Sequence, residues 1–333
     1  MQFGQLQRRE FITLLGGSAA MWPLAARAQQ PAMPVIGYLG ASSLEAFASR
    51  LQAFRQGLAE AGYQEGRNVR VEYRWAESRF DLLPMLASGL VDQRPSVIVA
   101  AGSTAAALAL KAATTTIPII FEIGGDPLAA GVVPSLSRPG GNVTGVTSLN
   151  VEVHPKRLEL LHELIPNVKT AGLLINPADR TVTEPLLPQM QAAAQTLGLD
   201  LHILEAGAEG DIEPAFTRLA EFGAGGLVVA SGPFFASRGP RLAMLALRHR
   251  VPTVFYTREF ADAGGLASYG GNVTESHRLS GHYAGRILKG EKPGDLPIQQ
   301  VTRVELIINL KTAKALAVDV SRQLIARADE VIE

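Results

Sequence analysis

The 333-residue chain has no cysteine. A disulfide framework, thiol catalysis, thiolate metal sites and a lipid-modified N-terminal cysteine are therefore excluded. Neither sign of charge is in excess, with 31 Lys+Arg against 31 Asp+Glu. A nucleic-acid partner, whose phosphates demand a basic surface, is not expected. No G-x-G-x-x-G or P-loop follows a strand-like run, and no G-x-S-x-G elbow occurs, so the common nucleotide and hydrolase signatures are missing. The six histidines (His154, His162, His202, His249, His277 and His282) show no ligand spacing and read as surface or cap residues. No metal, cofactor or catalytic residue is expected, and the chain does not read as an enzyme.

Apolar residues make up 47% of the chain and charged ones 19%, a globular composition whose length suits two domains of ordinary size. The first 28 residues read as an address. Arg8-Arg9-Glu10-Phe11-Ile12 is a paired-arginine start, and a modest apolar run to Ala25 is broken by Gly16, Gly17 and Pro23. That run falls short of the ~20 residues that span a bilayer. Ala26-Arg27-Ala28 fits small-x-small cleavage. The pattern resembles a twin-arginine export signal cleaved near Ala28, which predicts a mature protein in the periplasm.

Beyond residue 33, short apolar runs alternate with amphipathic ones. Val35–Leu39, Val69–Tyr73, Ser96–Ala100 and Ile117–Phe121 read as strands, with helices over 46–61, 82–90 and 104–113 between them. The order then returns: strands at Ala171–Ile175, Leu199–Leu204, Gly226–Ala230 and Val251–Phe255, with helices over 185–197 and 214–222. Strands joined by helices predict right-handed crossovers and parallel sheets. Two such lobes in succession predict a cleft lined by the carboxyl ends of their strands, where ligands of open parallel sheets collect. The remaining chain, with strands at 264–269 and 304–309 and helices over 277–288 and 312–317, is expected to cross back to the first lobe and return.

The candidate site follows from those strand ends. Ser42 and Ser43 follow the first strand. Ser103 and Thr104 open a helix whose free N–H groups favour an anion such as a carboxylate. Gly125 and Asp126 follow the fourth strand, the glycine allowing close backbone approach. In the second lobe Asn176 follows the first strand, Pro233 and Phe234 the third and Tyr256 the fourth, the last two offering an apolar wall.

Several motifs together resemble the ABC-transporter substrate-binding family whose namesake members bind tryptophan or related aromatic amino acids. They are Ala101-Gly102-Ser103-Thr104, Gly125-Asp126-Pro127, Pro139-Gly140-Gly141-Asn142-Val143-Thr144-Gly145-Val146, Gly265-Leu266-Ala267-Ser268-Tyr269-Gly270 and Leu306-Ile307-Ile308-Asn309-Leu310-Lys311-Thr312-Ala313. The resemblance covers about residues 33–333. It implies a type I periplasmic-binding fold, two Rossmann-like lobes with parallel sheets joined by a three-strand hinge. It also implies closure around a small-molecule ligand and delivery, as a monomer, to an inner-membrane ABC permease. On this basis residues 34–146 plus 270–291 form the N-terminal lobe and 147–269 plus 292–333 the C-terminal lobe. Residues 142–146 are the first hinge strand, and Thr147 and Tyr269, at hinge-strand ends, join the ligand-facing set.

One departure bears on the ligand. Amino-acid-binding members resemble one another in an Asp-Asn pair where this chain has Ser231-Gly232-Pro233-Phe234. The acidic partner of an ammonium group is lost there unless Asp126 or Asp179 replaces it. The ligand expected is a small aromatic or apolar carboxylate or amino-acid-like compound. Rival roles are a periplasmic sensor that presents its loaded form to a receptor, and a periplasmic enzyme on the same fold. A repressor's effector domain would need DNA-binding helices where the export signal stands.

Overall fold

The computed structural model describes residues 33–333, of which Val35–Glu333 form one unit. The export signal expected over 1–28 lies outside the described residues. Strands run in chain order as β1 (Val35–Gly40), β2 (Arg70–Trp75), β3 (Val97–Ala101), β4 (Ile119–Ile123), β5 (Val143–Thr147), β6 (Thr170–Ile175), β7 (Asp200–Glu205), β8 (Gly226–Val229), β9 (Thr253–Phe255), β10 (Ala267–Gly271), β11 (Gln299–Gln300), β12 (Val304–Asn309) and β13 (Glu330–Ile332).

They form two sheets, ordered β11-β5-β4-β3-β1-β2 and β13-β12-β10-β9-β8-β6-β7. Every pairing is parallel except β10 with β12. The sequence repeat reappears as topology: β2-β1-β3-β4-β5 in one sheet has the same spatial order as β7-β6-β8-β9-β10 in the other. The parallel strands must be apolar on both faces because helices cover both. Accordingly all five residues of β3 and of β4 are buried. On the first sheet Leu39, Ile98, Ile119 and Phe121 pack on one side, and Ile36, Tyr38, Val97 and Val99 on the other.

The chain passes between the sheets three times, after Thr147, after Gly271 and after Gln300. The last passage comes later than the expected residue 291. Gln299–Gln300 first pairs with Val146–Thr147 as an edge strand of the N-terminal sheet. Between the second and third passages the Val273–Leu288 helix, capped by Asn272 through the Glu275 N–H, lies against the Ala48–Glu60 helix of the first lobe. The two backbones approach so closely that a Cβ on Gly57 would fall 1.8 Å from the Arg278 carbonyl oxygen, and one on Gly281 2.0 Å from that of Phe54. Glycine is required there by space.

Several helices differ from their sequence expectation, among them Gly239–Arg248, which it did not include. The helix read as starting at Pro185, a favoured residue for a first turn, begins at Arg180 and runs to Leu197 with Pro185 and Pro188 inside it. Its buried face of Val182, Leu186, Met190 and Ala194 holds it together across the missing N–H groups. His154–Leu164, directly after the first passage, forms a further helix that the strand-by-strand repeat did not predict.

Candidate functional site

A cleft lies between the two sheets at the carboxyl ends of their strands. The space along its walls, open solvent included, is about 470 Å³. The first lobe contributes Gly102, Ser103 and Thr104 after β3, Glu122 and Gly124 at the end of β4, Arg50 from the Ala48–Glu60 helix and His277 from the Val273–Leu288 helix. The second contributes Asp179 after β6, Ser231, Gly232 and Pro233 after β8, and Tyr256 after β9. Ser148, Asn150 and Val151 come from the first passage between sheets.

Local chemistry explains how the N-terminal wall is formed. Gly102 takes φ +71°, which turns the chain sharply out of β3. Ser103 then caps the Thr104–Ala113 helix, its Oγ accepting the Ala106 N–H at 3.3 Å. The first N–H groups of that helix have no intrahelical acceptor. Arg50 stands beside them, its guanidinium 5.0 Å from the Phe47 ring centroid. It is 6% exposed and enters no ion pair among the described residues. Burial works against its charge, but Tyr256, Glu259 and Glu122 nearby outweigh that and hold the guanidinium above its ordinary value, so the charge is kept for an anion in the cleft.

The C-terminal wall carries the opposite charge. Asp179 is 5% exposed and also enters no ion pair among the described residues. Its Oδ1 accepts the Thr181 hydroxyl at 2.8 Å. Burial pushes its carboxyl up to about 6, more than the Thr181 and Val182 donors pull it down.

Beneath this wall a buried network ties the first two passages between the sheets to the loop after β8. Arg157, fully buried, donates from Nε to the Tyr269 carbonyl (2.6 Å) and from Nη2 to the Asn150 carbonyl (2.8 Å). Its Nη1 reaches Ser231 Oγ at 3.3 Å. Asn150 accepts the Gly271 N–H at Oδ1 (2.8 Å) and donates to Ser148 Oγ (2.9 Å). Burial lowers the Arg157 guanidinium to about 9, with the tyrosines nearby opposing the shift. His154 completes the network. Its Nδ1 meets the Val151 carbonyl at 2.6 Å and its Nε2 accepts the Ser231 N–H at 2.8 Å. That tautomer fits a neutral ring, and burial, with Arg157 adding to it, holds the imidazole well below its ordinary range. Ser231 Oγ lies 3.1 Å from His154 Nε2 but donates to the Asn150 carbonyl at 3.0 Å. The pair is therefore committed to structure and is not set up as nucleophile and base.

Of the residues expected from strand ends, Ser103, Thr104, Pro233 and Tyr256 line the cleft. The others do not. Ser42 and Ser43 line a separate groove with Glu77, Glu209 and Arg238. Gly125 and Asp126 lie in an outer groove with Glu152 and Arg180, and Asp126 Oδ1 accepts the Leu128 N–H at 2.7 Å to close its own turn. Thr147 is fully buried and donates to the Gly125 carbonyl. Asn176 accepts the Ala178 N–H through Oδ1, closing the turn that leads to Asp179. Phe234 packs in the second core against Phe235, with the Arg238 guanidinium 4.0 Å from its ring. Tyr269 serves through its carbonyl, on Arg157, and its ring packs on the core. The surface reading of the histidines also fails for His154 and His277, which are buried.

Sequence reasoning missed Arg50, Glu122, Asn150, Arg157 and His277. Two of them left a signal. Arg50 sits three residues after Phe47 and four before Phe54, on the apolar face of its helix. Glu122 interrupts the otherwise apolar strand Ile119–Ile123.

Two parallel-sheet lobes crossed three times by the chain, with a cleft of mixed polar and apolar lining at their strand ends, define a two-lobed ligand-binding protein. Comparison with known proteins narrows the class. Residues 40–332 match the family described as ABC transporter substrate binding protein, and the chain belongs to that family. A tyrosine-binding protein of Clostridioides difficile (strain R20291) is 27% identical over 266 residues, 80% of this chain and 75% of that one. Among solved structures, a conserved domain protein from Vibrio cholerae superposes with TM-score 0.81 at 28% identity, covering 90% of this chain and 99% of that one. An ABC domain from Streptococcus pneumoniae in complex with L-Trp superposes with TM-score 0.78 at 27% identity, covering 89% and 100%. Among the described residues no helix is long and apolar enough to cross a membrane.

Proposed function

We propose that the protein is exported to the periplasm, captures an α-amino-acid-like ligand between its lobes and delivers it as a monomer to an ABC permease, binding without chemistry. One observation carries the ligand class. Arg50 on one lobe and Asp179 on the other are buried, opposite in charge and without ion-pair partners among the described residues, and they line one cleft. A zwitterion answers both: its carboxylate meets Arg50 and the first N–H groups after Ser103, and its ammonium meets Asp179. Asp179 thereby replaces the acidic group absent at Ser231. Val151, Val182, Pro233 and the Tyr256 ring leave an apolar surface for the side chain. The relatives that bind tyrosine and L-Trp support an aromatic one. A ligand held by both lobes stabilises the closed state by its differential affinity, which is the signal a permease reads.

Isothermal titration with an aromatic amino acid, its deaminated acid and its decarboxylated amine tests this reading. The amino acid is expected to bind and both truncated forms to lose about tenfold or more, since each leaves one buried charge unanswered. Equal affinity for either truncated form would overturn the zwitterion assignment.

A further inference from the structure

Glu122 and His277 stand on the cleft wall, and the zwitterion scheme uses neither. Glu122 is 2% exposed and His277 1%. Glu122 Oε1 accepts the Ser276 hydroxyl at 2.6 Å. Its Oε2 lies 3.3 Å from His277 Nε2. The other ring nitrogen of His277, Nδ1, is 2.7 Å from the Val273 carbonyl, an acceptor only. The ring proton therefore belongs on Nδ1, and Nε2 presents a lone pair. Nε2 has no hydrogen-bond partner. Burial lowers the imidazole below its ordinary range, against the opposing pull of Glu122, so the neutral ring is the resting form. Glu122 Oε2 thus faces the buried lone pair of His277 Nε2 in place of a donor, and the Arg50 guanidinium nearby makes no ion pair with it.

A buried acceptor left without a donor costs more than a satisfied one gains, so such a pair discriminates between ligands that bring a donor and those that do not. We infer that Glu122, backed by Ser276 and His277, is the specificity-determining acceptor of the cleft and selects amino acids whose side chains end in an O–H or N–H. This rests on the zwitterion reading, because Arg50 and Asp179 must hold the α-groups for the side chain to reach Glu122. It assigns the fourth-strand carboxylate to the ligand's side chain and Asp179 to its ammonium.

Near-isosteric pairs test the assignment by titration calorimetry on the exported chain: tyrosine with phenylalanine, glutamine with methionine, threonine with valine. In the tightest-binding pair the donor-bearing member is expected to win by about tenfold or more. Glu122→Gln and His277→Gln, checked for folding by melting curves, are expected to shrink that ratio. A bare member that binds as well as its partner in every pair overturns the inference and leaves the zwitterion reading standing. A ratio unchanged in Glu122→Gln overturns the assignment to Glu122. Failure of every amino acid to bind overturns both readings. Should a variant not fold, the wild-type ratios still decide the first question.

Discussion

Asp179→Asn separates the ligand role of this carboxylate from its cost to the empty protein. A carboxyl moved from 3.8 to about 6 by burial is about 3 kcal/mol harder to ionise than in the unfolded chain. The folded state holds the extra proton, so the penalty is absent below about pH 4, builds as pH rises through the window from about 4 to 6, and is complete above it. Asparagine keeps an oxygen for the Thr181 hydroxyl and never ionises. Thermal melts of the ligand-free protein are therefore expected to show Asp179→Asn as the more stable form at pH 7.5, by up to about 3 kcal/mol, and equal to wild type near pH 3.5. Calorimetry at pH 7.5 is expected to show amino-acid affinity reduced by about ten- to a hundredfold, because the ammonium loses a charged acceptor. Wild-type affinity should fall as pH drops below about 6, with proton release on binding there. A variant that binds as tightly as wild type, or that gains no stability at pH 7.5, refutes the placement of an unpaired carboxylate in the cleft.

Three further perturbations probe the remaining parts. Arg50→Gln is expected to cut affinity for carboxylate ligands by about tenfold or more in the same titration, with little change in melting temperature, since the residue enters no ion pair that holds the fold. Arg157→Met strips donors from the Tyr269 and Asn150 carbonyls and from Ser231, and denaturant titration should show a loss of about 3 kcal/mol or more with or without ligand. Gly281→Ala drives a methyl group into the Phe54 carbonyl and should cost about 1–3 kcal/mol in a thermal melt, by prying the Val273–Leu288 helix from Ala48–Glu60.

Local patterning alone determined much of this protein. Apolar runs of five or six residues, amphipathic stretches and closing glycines marked most strands and helices. Their repetition in order predicted two similar lobes, which the sheets reproduce as β2-β1-β3-β4-β5 and β7-β6-β8-β9-β10. Strand ends located Ser103, Thr104, Pro233 and Tyr256 because in a parallel sheet those ends share one edge. The same rule also selected residues that never reach the cleft. A strand end has several residues and only some turn inward: Asp126 and Asn176 spend their oxygens on turns, and Phe234 goes into the core. Which end residues face a ligand depends on the turn each loop makes, and sequence spacing does not contain that.

Tertiary structure alone decided the charges. Arg50, Glu122 and His277 come from two helices and a strand, and Asp179 from the opposite lobe. In the sequence they are isolated polar residues of a kind that usually faces water. Their chemistry exists only because the chain crosses between the sheets three times and closes them over one space. Burial there raises Asp179, leaves Arg50 outside any ion pair among the described residues and sets Glu122 against an imidazole lone pair. Periodicity records which face of an element is apolar. Desolvation and pairing depend on elements far apart in the chain, and so only the assembled cleft could assign them.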